Sequence, residues 1–170
     1  VWTLKSPELL QLNLASWVPV DHDPCPSAVV QFFRSIGSRA IAMSKFGQKA
    51  LGEYGIEAHY VPHSVDTEVF TPIDRTLARE VLHKLAGVPT DGFVVGMVAA
   101  NKGNQPPRKG FPEVFLAFAK FKAKHKDAVL YLHTERYGDY QGCKLDIMAD
   151  ACGLKPDEDV FFPPQYDYRL

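Results

Sequence analysis

Four stretches of the chain bring together residue types that can do chemistry. Residues 99–115, AANKGNQPPRKGFPEVF, place Lys102, Arg108 and Lys109 between an apolar run and a Phe-rich periodic segment, with Gly103 and Gly110 among them. Cations beside glycines, which let the backbone approach closely, suit a diphosphate, and the start of the following helix adds partial positive charge. The alternative is a solvated turn kept polar by its cations. Neither G-x-G-x-x-G nor the P-loop pattern occurs, which weakens dinucleotide and P-loop readings. PVDHDPCP at 19–26 clusters Asp21, His22 and Asp23; such a group can bind a metal, act as acid and base, or form a polar turn. YVPHSVDTEVF at 60–70 carries His63, Ser64 and Asp66, and YLHTERYGDY at 131–140 carries His133, Thr134 and Glu135. Each of these two leaves an apolar run, so each is either a hydrogen-bonded structural group or part of a ligand crevice.

These residues need elements to hold them. Six apolar, β-branched runs read as short buried strands: 14–20, 38–44, 57–64, 92–100, 127–134 and 158–164. Between them lie helical periods at 27–36, 45–54, 75–86 and 112–125, with a weaker one at 139–152. Ser44 is placed to cap the second helix, Gly55 to follow its end, and Pro112 to sit in a first turn where its missing N–H costs nothing. Alternation of strand and helix implies an α/β fold of Rossmann-like parallel sheets with helices on both faces. That places the 99–115 loop, His63 and His133 at carboxyl ends of strands, where open α/β sheets bind ligands.

The pattern breaks at VDTEVFTPIDR, 65–75, an acidic, Pro-containing stretch that reads as an interdomain linker. It divides the chain into 1–70 and 71–170, each too short for a doubly wound sheet of about five or six strands. Two incomplete α/β units, the end of one domain and the start of another, are the expectation. The start at Val1 without Met and the finish just after a strand-like run point the same way, to a segment of something longer.

Composition narrows the partners. With 46% hydrophobic residues the chain has material for a core, and 19 Lys/Arg against 20 Asp/Glu give a net charge of −1, which offers no general attraction to nucleic acid or acidic membranes. The lysines of AKFKAKHK, 119–126, accordingly read as a solvated helix face and Phe115, Phe118 and Phe121 as core packing. Cys25, Cys143 and Cys152 lack the spacing of a zinc or redox motif and read as reduced, buried thiols. No apolar run reaches the about 20 residues of a membrane span and the first residues lack signal-peptide order, so a cytoplasmic setting is the default. Incomplete sheets would expose edges and apolar faces, which makes self-association an expectation.

Taken in order, AMSKFGQKALGEYGI, YVPHSVDTEVFTP, FVVGMVAAN, RKGFPEVFLAFAKF, AVLYLHT and DVFFPP resemble the central part of the GT-B glycosyltransferases of the large retaining family 4, over roughly residues 40–170. The resemblance implies two Rossmann-like domains, with 1–70 the end of the acceptor-side domain and 71–170 the beginning of the donor domain. It implies transfer of a sugar from a nucleotide-diphosphate donor to a hydroxyl on a glycan, lipid or protein, without metal or other cofactor. Lys109 matches the family lysine on the donor diphosphate, with Arg108 beside it. Asn101, Lys102, Gly103, Gly110, His133, Thr134, Pro163 and Gln165 would border the donor, the exit FFPPQYDY facing the base through its backbone. Asp21, His22, His63, Ser64 and Asp66 would face the acceptor or the cleft. The chain departs from the family in three places. Ala100 and Asn101 stand where an arginine is usual, Ser64 replaces the glycine of Pro-x-Gly-Val-Asp, and no two glutamates lie eight positions apart, so the family's Glu-x7-Glu pair is missing. The implied reading is an enzyme fragment with little or no activity alone. A non-catalytic binding or assembly module is the alternative, and another GT-B-shaped sugar-phosphate enzyme, such as an epimerase, a third.

Overall fold

The computed structural model describes residues 11–103 and 108–165. The fold is α/β and Rossmann-like, with two three-stranded parallel sheets flanked by helices. The chain divides into two compact units that meet between Thr71 and Pro72.

The first unit runs β1 (Ala15–Val18), α1 (Ser27–Ile36), β2 (Arg39–Ala42), α2 (Lys45–Gly52) and β3 (Ala58–Tyr60), with strand order β1-β2-β3. Both crossovers step the same way across the sheet, so right-handed connections place α1 and α2 on one face. The register brings Val18 beside Ala42 and Ala40 beside Ala58. These residues form a core with Val29, Val30, Phe33, Ala50 and Leu51 of the helices. On the opposite face the register aligns Trp17, Ile41 and His59. Trp17 and His59 are exposed and Ile41 is half-buried, so among the described residues that face carries no helix. Local chemistry fixes the helix ends. The Ser44 hydroxyl accepts the Gly47 N–H at 2.9 Å, and Gly37, at φ 66°, closes α1 in the left-handed region.

The second unit runs α3 (Arg75–Ala86), β4 (Phe93–Val98), α4 (Phe111–Lys124), β5 (Ala128–His133), α5 (Leu145–Ala151) and β6 (Val160–Phe161), with strand order β4-β5-β6. Here both faces are covered. Phe115 and Phe118 of α4 and Leu145 and Ala149 of α5 pack on Leu130, Leu132 and Val160, while Leu82 and Ala86 of α3 pack with Val94, Val129 and Tyr131 on the other face. Phe121 is half-buried and stacks on His125, ring centroids 4.2 Å apart.

Three expectations change in detail. Of the apolar period of α3, Leu77, Val81, Leu82 and Leu85, one residue reaches the sheet: Leu82 packs there with Ala86, while Leu77, Val81 and Leu85 are exposed. The helix expected from 139 begins at Leu145, because residues 135–143 are held by tertiary hydrogen bonds instead. Cys25 is buried, and burial pushes its thiol pKa up; Cys143 and Cys152 are free but only half-buried. The Asp74 side chain caps α3 by accepting the Thr76 and Leu77 N–H groups. Those bonds, Leu77 first, hold its carboxyl below the usual carboxylate range. No helix among the described residues is long and apolar enough to cross a membrane.

Candidate functional site

The three strands of the second unit run parallel, so their carboxyl ends share one edge of the sheet. A cavity of about 590 Å³ opens there. Six of the residues expected to border the donor line it: Asn101 and Lys102 after β4, His133 and Thr134 at the end of β5, and Pro163 and Gln165 after β6. Val98, Ala99, Ala100, Glu135 and Tyr140 complete the lining. Val98 and His133 are register partners, which sets the end of β4 against the end of β5.

The lining residues divide by what their polar atoms already do. Asn101 is 4% exposed. Its amide donates to the carbonyls of Glu135 (2.9 Å) and Cys143 (2.8 Å), and its oxygen accepts the Cys143 N–H at 2.8 Å. Gln165 donates to the Pro163 carbonyl and accepts the Arg136 N–H, both at 2.8 Å. The Glu135 carboxylate accepts the N–H groups of Tyr137 and Gly138. These three side chains build the walls. What remains for a ligand is Lys102, which is exposed, together with His133 and Thr134. The Tyr131 hydroxyl lies 2.8 Å from His133 Nδ1, which fixes the ring and leaves Nε2 as the nitrogen open to a ligand. Thr134 Oγ1 is buried and has no hydrogen-bond partner among the described residues. A buried hydroxyl without a partner costs about 1–3 kcal/mol, and a ligand oxygen or nitrogen would relieve that cost. A cation, an imidazole and a hydroxyl on a mainly apolar wall suit an anionic group attached to a flat or apolar body.

Arg108, Lys109, Gly103 and Gly110 are not among the lining residues. Arg108 and Lys109 form an exposed turn directly before Gly110, the N-cap of α4, and neither has an ion-pair partner among the described residues. Residues 104–107 of this loop lie outside the described residues, as does 166–168 of the FFPPQYDY stretch. Gly103 and Gly110 adopt φ of +94° and +65°, a region that favours glycine, so backbone conformation accounts for both. Glu113 stands in the first turn of α4, where it offsets part of the local positive charge.

In the first unit the candidates also sit past carboxyl ends of strands, and none of them lines the cavity of about 420 Å³ found beside Ser38, Arg39 and Glu57, where β2 and β3 begin. His22 Nδ1 lies 2.6 Å from Asp21 Oδ1, both side chains largely in solvent. His63 packs its ring against Trp17 at 4.5 Å, and Trp17 Nε1 donates to the Val61 carbonyl. Ser64 and Asp66 are exposed, and Asp66 accepts the N–H of Glu68 in a local turn. Among the described residues no three His, Cys, Asp or Glu side chains come together to hold a metal ion.

Arg136 and Tyr131 escaped the sequence reading. Arg136 bonds to Asp146 at 2.7 Å, forms a fork on Asp157 with two bonds of 2.9 Å, and lies over the Phe162 ring. The Asp157 hydrogen bond and then Asp146 hold its pKa well above the ordinary value, against the opposite pull of burial. It ties the cavity wall to α5 and to the approach to β6. Lys122 and Asp159, 2.7 Å apart and each about one-fifth exposed, brace the far end of the same sheet. Burial acts to raise the Asp159 carboxyl, yet the bonds from Lys122 and the Lys155 N–H outweigh it and its pKa is lowered. Only an acidic neighbour close in sequence could have signalled Arg136, and its partners lie 10 and 21 residues away. Compared with known proteins, the chain matches no family model and no curated sequence.

Proposed function

We propose that this chain is the central part of a retaining GT-B glycosyltransferase whose second unit receives a nucleotide-diphosphate sugar. The observation that carries the reading is the cavity at the carboxyl edge of β4-β5-β6, where Lys102, His133 and the unpartnered Thr134 hydroxyl are the groups left free. Lys102 offers charge to a phosphate oxygen, and His133 Nε2 and Thr134 Oγ1 offer hydrogen bonds. The apolar stretch from Val98 to Ala100 suits the flat body of a nucleoside. Lys109 and Arg108, exposed just before α4, would stabilise negative charge growing on the departing diphosphate as the sugar–phosphate bond breaks. Asp21, His22, His63, Ser64 and Asp66 of the first unit would be the residues that meet the acceptor.

The test is sugar transfer by the full-length protein, measured with and without Lys109→Ala over a panel of nucleotide sugars. The reading expects turnover to fall by about 100-fold or more, the scale of losing one charge-stabilising donor. Unchanged turnover and affinity would remove Lys109 from the mechanism.

One observation favours a non-catalytic binding or assembly module derived from such an enzyme. Asn101 stands where the family carries an arginine, and its amide is consumed by the neighbouring loop. Diphosphate binding without transfer of any sugar would select that reading.

A further inference from the structure

We propose that Asn101 is a positioning residue: from the end of β4 its amide locks residues 135–143 as a fixed wall, so the cavity exists before any ligand arrives. The part of this inference that concerns a ligand rests on the nucleotide reading above.

One carboxamide holds both ends of the segment. At one end it donates to the Glu135 carbonyl; at the other it exchanges two hydrogen bonds with Cys143, one to the carbonyl and one from the N–H. This is the double pairing that two peptide groups make in a sheet, supplied by a side chain. Asparagine is the residue that fits. Aspartate would lose both donated bonds and set a second carboxylate against Glu135, whose Oε2 is 3.4 Å from the Asn101 amide. Leucine would lose all three bonds in a buried place.

The segment is shaped to receive this clamp. A Cβ on Gly142 would run into the Asn101 backbone carbonyl and carboxamide, and Gly138, at φ +81°, faces the Gly142 and Cys143 carbonyls too closely for a side chain. Between the glycines and the clamp, the Glu135 carboxylate gathers the Tyr137 and Gly138 N–H groups. Outside it, Arg136 binds Asp146 and Asp157. Tyr140 is carried on this segment and lines the cavity with Glu135. Because the wall is already ordered, a ligand does not bear the entropy of ordering it.

Hydrogen exchange on the intact protein tests the clamp, with uridine, guanosine and adenosine diphosphates as binding probes. In the unmodified protein the Cys143 and Gly138 amides should be protected. In Asn101→Ala they should exchange at least about tenfold faster while Leu130 and Leu132 in β5 stay protected, and affinity for whichever diphosphate binds should fall about tenfold. A general loss of stability would instead accelerate all of these amides together, and that result, or an unprotected Cys143 in the unmodified protein, overturns the proposal. Should Asn101→Ala fail to fold, Gly142→Ala, whose methyl presses on the Asn101 carbonyl and carboxamide from the other side, must reproduce the local acceleration; unchanged exchange there overturns it too. Unmodified protein that binds none of the three diphosphates, yet shows clamp protection lost in the variant, upholds the clamp and defeats the nucleotide reading.

Discussion

The two units solve the same problem differently. Both lay three parallel strands in sequential order with two helices on one face, but α3 gives the second sheet a cover on its other face, and the first sheet leaves Trp17 and His59 in solvent there. The contrast extends to the carboxyl ends. In the second unit buried Asn101 and well-tied Arg136 shape a cavity, whereas in the first Asp21 and His22 meet each other in solvent and His63 leans on Trp17. Residues of similar type line a cavity in one unit and lie largely in solvent in the other. The lesson is that a cluster of His, Asp and Ser at a strand end becomes a site when neighbouring elements bury and bond the groups around it.

Core substitutions should separate the units most sharply. Phe115→Ala removes a fully buried ring between α4 and the sheet and is expected to cost about 3–5 kcal/mol, read as a lower urea midpoint for the second unit. Trp17→Ala, the largest side chain on the uncovered face, should cost about 1 kcal/mol, chiefly its hydrogen bond to Val61. Equal losses would show that the first sheet is covered in solution.

Arg136→Ala comes next, at about 2 kcal/mol, because it leaves two carboxylates without their partner and uncovers Phe162. Asp157 is two-thirds exposed and accounts for little of that. Circular dichroism melts of Arg136→Ala and Arg136→Lys compare fork and charge; an unchanged melt in both would remove this tie from the account.

The smallest expected effect concerns pH. The Asp159 carboxyl has a lowered folded-state pKa, so its contribution is present above the unfolded value of about 3.9 and is lost as pH falls through the folded value. The stability difference between the unmodified protein and Asp159→Asn should therefore be about 1 kcal/mol at pH 6 and shrink steadily below pH 4. A difference that stays constant to pH 2.5 would contradict the Lys122 pairing as its source.

Much of this architecture was legible in the residues because strand and helix patterns here are local. The six β-branched runs each contain an observed strand, and Ser44 and Pro112 stand at the helix starts where capping and proline chemistry place them. Alternation in β1, with Ser16 and Val18 in and Ala15 and Trp17 out, was the available sign that one face carries no helix among the described residues. The cavity was legible as a position, the end of β4, β5 and β6. Its working was not, since the partners of Asn101 lie 34 and 42 residues away and no local pattern encodes that distance. For the same reason residue type alone could not separate Asn101 and Gln165, whose amides are spent on the protein, from Thr134, whose buried hydroxyl has no partner among the described residues.

On the proposed reading the second unit, and not the first, holds the phosphate-bearing ligand. Calorimetric titration of uridine, guanosine and adenosine diphosphates into the unmodified protein, Lys102→Ala/His133→Ala and Asp21→Ala/His22→Ala tests it directly. The account predicts binding of at least one diphosphate, weakened about tenfold or more by the Lys102 and His133 changes and left intact by the Asp21 and His22 changes. Binding lost through Asp21 and His22 while the Lys102 and His133 variant binds normally would contradict it.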